Sequence, residues 1–229
     1  MSEISRLRLF IDSTDEEIWR RFFAGGYFYG VTTNPKLLFN AGIPNTIENL
    51  AGLAEKAFAL GAQEIHLQIW GDELEVMLAR GRQLAALDPR VSVKIPITET
   101  GLRCARQLIE DGVRVTLTAV HASEQMLPVI ALGAAYAAPY LGRMNDAGLD
   151  GEHEILAMQA MIDSLGSETR LLVASIREPS ELSRLAGTGC DTFTLVPELL
   201  EELLNNPQTL AATADFEEKA SALPQNARR

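Results

Sequence analysis

The sequence predicts a single (βα)8 barrel over residues 1–229, with one extra helix at its C-terminal end. Three observations carry this reading. Eight short apolar runs alternate with amphipathic helical stretches along the 229 residues, and repeated βα units of this size make a parallel sheet. Eight such units fit the roughly 250 residues typical of a (βα)8 barrel. The connections are short, and no composition break or low-complexity segment marks a second domain. The runner-up, a doubly wound open sheet, loses ground because no G-x-G-x-x-G turn follows the first strand.

The elements follow in order. Residues 8–12 read as a strand ending in Asp12. Thr14 and Glu17 match a T-x-x-E capping box. Ile18, Trp19, Phe22 and Phe23 then make one helical face, which Gly25-Gly26 ends. Residues 28–35 are a short strand running into a loop, with Asn34-Pro35 as the turn signal. A helix over 45–60 stops at Gly61, a fitting C′ residue. Strand 64–70 alternates, with Ile65, Leu67 and Ile69 on one side and His66, Gln68 and Trp70 on the other. Helix 72–87 leads to strand 91–96, which carries Lys94. Helix 99–111, strand 113–119 and helix 123–132 come next, then an alanine-rich strand, 134–139. A Gly/Asn/Asp-rich loop over 141–151 precedes helix 153–165. Strand 170–175, helix 179–186 and strand 191–196 complete the eight units. Pro197 fits N1 of a helix to 204. A polar linker, 205–213, leads to a last helix near 214–222 and a frayed tail, 223–229.

Composition narrows the function. The chain is 47% hydrophobic and 22% charged, ordinary for a globular protein, and carries a formal net charge of -11. That charge argues against a nucleic-acid partner, whose phosphates need a basic surface. A small anion can still be held by a local basic pocket. Cys104 and Cys190 form no CxxC pair, and His66, His121 and His153 lack metal-ligand spacing, so a zinc or disulfide framework is not expected; chemistry at the Lys94 amine calls for no metal or other cofactor. Residues 1–8 contain no long apolar region, and no run of about 18 apolar residues suggests a membrane span. A cytoplasmic enzyme or binding protein is expected.

Barrel enzymes build their sites at the C-terminal ends of the strands. Asp12 ends the first strand, and Thr32, Thr33 and Asn34 end the second. Gln68, Lys94 and Thr118 lie near the ends of the third, fourth and fifth. Tyr140 and Arg143 follow the sixth, and Ser175 and Arg177 the seventh. The eighth ends in Val196-Pro197, with nothing obviously chemical. Each residue alone has an ordinary alternative: a lysine that snorkels or pairs with a carboxylate, an N-capping Asp12, a solvated Arg143. Their recurrence at equivalent strand ends favours function. An apolar surround disfavours the charged form of a lysine, and a neutral amine attacks a ketone to give a Schiff base. Asp12, Gln68, Thr118 and Tyr140 are candidates to hold a water or substrate hydroxyls. Arg143, Arg177 and Ser175 suit a phosphate, whose oxygens guanidinium matches in pairs.

Six segments carry a resemblance. They are Phe10-Ile11-Asp12-Ser13, Gly30-Val31-Thr32-Thr33-Asn34-Pro35, Val93-Lys94-Ile95-Pro96, Thr116-Leu117-Thr118-Ala119-Val120, Ala138-Pro139-Tyr140-Leu141-Gly142-Arg143 and Ala174-Ser175-Ile176-Arg177. In this order and spacing the chain resembles the small transaldolase family, in its fructose-6-phosphate aldolase-like branch, from Leu9 to about Leu204. The resemblance implies a TIM barrel, a Schiff-base lysine at Lys94, sugar-phosphate substrates bound with Thr33 and Asn34 among the contacts, and a cytoplasmic location. It also implies a homo-oligomer, a pentamer or decamer, with the C-terminal helix on a neighbour. Transaldolases of the family carry Glu at the position of Gln68 and usually Phe at that of Tyr140. Gln68 and Tyr140 therefore point to the aldolase branch, which releases free dihydroxyacetone.

The chain departs from the family pattern at Lys36, where Ser is usual, and at His121, where an aromatic residue is expected. Trp70 after Gln68-Ile69 and Met144-Asn145-Asp146 after Arg143 also differ. Lys36 is expected to be a solvated loop charge. Beside the aldolase, two alternatives remain: a transaldolase using the same lysine, and a catalytically silent barrel that binds a sugar phosphate.

Overall fold

A computed structural model describes residues 6–222. The strands are β1 (Arg8–Asp12), β2 (Gly30–Thr32), β3 (Glu64–Gln68), β4 (Val91–Pro96), β5 (Val115–Val120), β6 (Tyr136–Pro139), β7 (Arg170–Val173) and β8 (Thr192–Leu195). All neighbours are parallel and in sequence order, and β8 pairs back onto β1, so the sheet closes into the expected barrel. The helices are α1 (Glu16–Phe23), α2 (Pro35–Asn40), α3 (Ile47–Ala59), α4 (Leu74–Ala85), α5 (Glu99–Glu110), α6 (Met126–Leu132), α7 (Leu141–Asp146), α8 (Gly151–Leu165), α9 (Pro179–Gly187), α10 (Pro197–Leu204) and α11 (Pro207–Ala222). The tail expected over 223–229 lies outside the described residues, as do residues 1–5.

Alternation sorts the strand residues into two environments. Ile11, Val31, Ile65, Leu67, Val93, Ile95, Val115, Leu117, Val173, Phe193 and Leu195 face the helices and join the main apolar core. The inward set is different. Its apolar part is small, with Phe10, Tyr136, Ala138 and Leu172 clustered together, and the rest is polar. Both faces of a parallel sheet are covered, so these inward polar groups are cut off from water and must satisfy one another.

They do so in a chain across the lower half of the barrel. Ser92 Oγ lies 2.8 Å from Thr116 Oγ1, which lies 2.9 Å from His66 Nδ1. His66 Nε2 is 2.7 Å from Glu64 Oε1, and Arg114 donates to Glu64 Oε2 at 3.0 Å. Burial depresses the His66 pKa, whereas the partners of Glu64 overcome its burial and hold its carboxyl below the usual range. The ring is therefore neutral and the carboxylate ionised. Since a carboxylate only accepts, Nε2–H donates to Glu64, Nδ1 accepts from Thr116, and Thr116 accepts from Ser92. Phe10 meets the His66 ring edge to face at 4.9 Å. These side chains fill the barrel axis in this half, and a surface cavity of about 530 Å³ reaches them from the N-terminal side, lined in part by Arg8, Glu64, Arg114 and Tyr136.

Several local expectations change. The T-x-x-E box does not cap α1; Asp15 does, accepting from the Glu17 amide at 2.9 Å. Asn34-Pro35 begins a helix rather than a loop: Asn34 stays extended and its Oδ1 accepts from the Leu37 amide at 3.0 Å, with Pro35 at N1. The loop expected over 141–151 contains α7, which Leu141 and Met144 anchor as a buried i, i+3 pair. The linker expected over 205–213 is mostly α11. Its first turn is capped by Asn206 Oδ1, which accepts from Gln208 N at 3.0 Å.

Candidate active site

The open half of the barrel holds a cavity of about 450 Å³ at the C-terminal ends of the strands. Its floor is Lys94 on β4, 3% exposed. Lys94 is registered opposite Gln68 of β3, so the amide and the amine stand side by side. Lys94 Nζ donates to the Thr33 carbonyl at a long 3.4 Å. Among the described residues it has no ion pair. An ammonium has three donors, so this group is under-satisfied for its burial.

Asp12 stands on the other side of the cavity, at the end of β1. Its Oδ1 accepts from Thr32 Oγ1 at 2.7 Å, and that hydroxyl also meets Thr194 Oγ1 at 2.5 Å. Burial raises the Asp12 pKa, against the pull of the Lys94 charge, the Thr32 hydrogen bond and the Arg143 charge. A carboxyl tuned upward in this way is suited to exchanging protons. Thr118 Oγ1 and Tyr140 Oη are 2.8 Å apart and complete the polar rim on the β5–β6 side.

Two strained residues shape this rim. Ala119 and Ser175 are the non-glycine residues with positive φ among those described, at 62° and 59°. Both line the cavity. Such conformations cost roughly 1–3 kcal/mol each and concentrate at functional sites. Ala119 produces a bulge, shifting the β5–β6 register between Thr118 and Val120. Gly142 then lets the start of α7 press against Ser175: its amide donates to the Ser175 carbonyl at 2.8 Å, and a Cβ there would lie 2.6 Å from that oxygen. This contact brings Arg143 of α7 to the cavity beside Ser175. The Arg143 guanidinium lies 4.7 Å from the centroid of the Tyr140 ring and forms no ion pair among the described residues.

The structure thus gathers Asp12, Asn34, Gln68, Lys94, Thr118, Tyr140, Arg143 and Ser175 around one cavity. Two expected residues fall outside its lining. Thr33 is fully buried and its hydroxyl donates to the His66 carbonyl at 3.0 Å; its backbone oxygen is what reaches Lys94. Arg177 turns away and pairs through both terminal nitrogens with Asp146. Both partners are more than half exposed, so the pair is a weak surface one, and in this arrangement Arg143 is the arginine that lines the cavity among the described residues. Lys36 is exposed, as expected of a solvated charge, but it sits on α2 rather than in a loop and lines the mouth of the cavity. Thr194 at the end of β8 also lines it, although that strand end showed no chemical signal. His121 backs the site: its ring meets the Tyr140 ring edge to face at 5.4 Å, and Nδ1 is 2.8 Å from the Ala119 carbonyl. Trp70 lies beyond β3 under the Arg80 guanidinium, 4.2 Å from its ring centroid.

A closed parallel barrel with a water-shielded lysine, an amide, hydroxyls and one carboxylate at its C-terminal mouth is a barrel enzyme equipped for amine–carbonyl chemistry. The comparisons agree. The family model described as transaldolase/fructose-6-phosphate aldolase matches residues 9–229, and the chain belongs to that family. A "Probable transaldolase" of Phenylobacterium zucineum is 31% identical, over 92% of this chain and 94% of the relative. Those of Caulobacter sp. (strain K31) and Thermus thermophilus are 34% and 33% identical, over 89% of this chain in each case and 91% and 93% of the relatives. The chain is an enzyme of the Schiff-base aldolase/transaldolase type, acting in carbohydrate metabolism. Sugar phosphates are the substrate class that fits the family. Among the described residues no helix is long and apolar enough to cross a membrane.

Proposed function

We propose that the chain is a class I aldolase that cleaves or forms fructose 6-phosphate or a close relative, with Lys94 as the Schiff-base residue. Lys94 Nζ attacks the ketone carbon C2, and the carbinolamine loses water to give an iminium. The C4 hydroxyl gives up its proton, the C3–C4 bond breaks, and its electron pair enters an enamine at C2–C3. Asp12 is the one carboxylate lining the cavity among the described residues, and its raised pKa suits it to take that proton. The aldehyde product, glyceraldehyde 3-phosphate, leaves from the side of Arg143 and Ser175, which hold its phosphate. The enamine takes a proton at C3, and a water held by Gln68, Thr118 and Tyr140 hydrolyses the iminium to release dihydroxyacetone.

The observation that carries aldolase over transaldolase is the neutral amide of Gln68 registered beside Lys94, together with the Tyr140 hydroxyl 2.8 Å from Thr118. In the transaldolase branch Glu and Phe usually stand at these two positions. The names of the relatives favour the second reading, transfer of the dihydroxyacetone unit to an acceptor aldehyde. One assay separates them. Fructose 6-phosphate supplied alone should yield free dihydroxyacetone with multiple turnovers. Product formed only after an aldehyde acceptor is added supports transaldolase. Borohydride reduction in the presence of the ketose, followed by peptide mapping, should place the adduct on Lys94; its absence sinks the Schiff-base assignment.

The same reading carries a cytoplasmic homo-oligomer, a pentamer or decamer. Helix α11 supports it: none of its residues is buried, and Leu210 and Phe216 are 53% and 68% exposed, an apolar surface suited to cover by a neighbouring copy. Light scattering on the purified chain should give five or ten copies, and a monomer overturns it.

A further inference from the structure

We propose that the preferred donor is a ketose with an anionic group at each end, a ketose 1,6-bisphosphate, and that Lys36 is the residue that selects it. This inference rests on the Schiff-base reading of Lys94 and adds the substrate class.

The charges in the cavity are the starting point. On a chain of formal net charge -11, the cavity is lined, among the described residues, by three cations, Lys36, Lys94 and Arg143, against one carboxylate, Asp12. Asp12 feels the charges of Lys94 and Arg143. Arg143 and Lys36 form no ion pair among the described residues, although the surface elsewhere pairs its cations freely, as in Arg177–Asp146 and Arg184–Glu152. Both side chains are exposed at the cavity mouth, where water screens them, and neither is committed to a carboxylate, so both are free to meet an anionic ligand.

Their placement says what shape that ligand has. Lys36 follows β2 on α2, and Arg143 follows β6 on α7. In a closed ring of eight strands, β2 and β6 are diametrically opposed, and β4 with Lys94 lies midway between them. A linear ketose joined through C2 to Lys94 therefore has its long arm toward Arg143 and Ser175 and its C1 arm toward Lys36. The walls of that second half are polar as well, with Asn34 and Asn40 lining the cavity beside Lys36. A ketose 6-phosphate fills the Arg143 end and leaves Lys36 without an anion. A phosphate on the C1 oxygen supplies it. The chemistry balances as before, except that hydrolysis of the iminium releases dihydroxyacetone phosphate in place of dihydroxyacetone. No oxidant, reductant or further reactant is needed.

The test compares fructose 1,6-bisphosphate with fructose 6-phosphate on the full chain. The wild type should show the higher kcat/KM for the bisphosphate. Lys36→Met should lower the bisphosphate/monophosphate ratio of kcat/KM about 10- to 100-fold, the worth of one hydrogen-bonded charge contact, mainly through KM. Lys36→Arg should restore part of the ratio, because it keeps the charge. A wild type that prefers the monophosphate, or a ratio unmoved in Lys36→Met, overturns the inference and leaves the Lys94 assignment standing. Failure to trap either ketose on Lys94 with borohydride overturns both.

Discussion

Lys94→Met is expected to abolish turnover and raise the melting temperature of the protein. The two effects share one cause. The Lys94 side chain is 3% exposed, with a single long hydrogen bond to the Thr33 carbonyl and no ion pair among the described residues. Methionine fills a similar volume without a polar head. Removing an under-satisfied buried polar group returns about 1–3 kcal/mol. At roughly 2–4 °C per kcal/mol for a chain of this size, Tm should rise by about 2–12 °C. Activity should fall by on the order of 10⁴-fold or more, because no other group supplies the covalent path. Calorimetry and steady-state kinetics on the same preparation check both halves. Turnover within tenfold of wild type would remove Lys94 from the chemistry. An unchanged or lower Tm would show that its burial is compensated in the folded state.

The barrel was legible because its signals repeat. Eight apolar runs separated by amphipathic stretches fix the number of units, and β4 and α10 fall on the expected boundaries, 91–96 and 197–204. The misread segments have a common physical origin. Asn34-Pro35 and Asn206-Pro207 look like breaks, because proline ends a preceding element. Yet proline also fits the first turn of a helix, where its missing N–H costs nothing, and asparagine is a good N-cap. Both pairs start helices, α2 and α11. Helix α7 was hidden because its six residues are too few to show a period, leaving only Leu141 and Met144 as a trace.

The same limit explains the site. Residues on strands were placed well, since strand ends converge by topology. Asp12, Gln68, Lys94 and Thr118 needed only the count of strands to be brought together. Residues on the following turns depend on local geometry that spacing does not encode. Lys36 reaches the cavity because Asn34 caps a helix there. Arg177 leaves it because Asp146, 31 residues earlier in the sequence, holds its guanidinium. Thr194 gives no signal because a threonine inside an apolar strand is common; its place in the cavity appears only when the barrel closes and brings β8 beside β1. The strained turns at Ala119 and Ser175 carry no sequence signal, since neither residue is one that favours positive φ.

The other large effect lies in the lower half of the barrel. Glu64→Ala is expected to lower stability by about 3 kcal/mol, the low end for breaking a buried charged pair, and so Tm by about 6–12 °C. Glu64 is 1% exposed and its two oxygens hold His66 and Arg114. Without it the His66 Nε2–H faces an empty space inside the barrel. Arg114 is half-exposed and can turn to water, which keeps the cost at the low end. The pH dependence has a definite sign. Burial holds the His66 pKa below 6.5 in the fold, so the unfolded chain binds more protons below that value. Stability from His66 is complete above about pH 6.5 and is lost as pH falls through its lowered folded value. Glu64 is held below 4.5. Its contribution is complete above that pH and is lost as pH falls through its own lower folded value. Wild-type stability should therefore decline from pH 7 downward, first with His66 and then with Glu64, and Glu64→Ala should flatten the lower limb. Denaturant unfolding from pH 8 down to about pH 2 for both proteins tests this. A variant within 2 °C of wild type, or a wild type flat between pH 5 and 7, would show that the chain from Ser92 to Arg114 contributes little to the fold. If the loss appears as expected, the division of the barrel becomes measurable: the inner polar groups of the lower half hold the fold, and those of the upper half weaken it for the sake of chemistry.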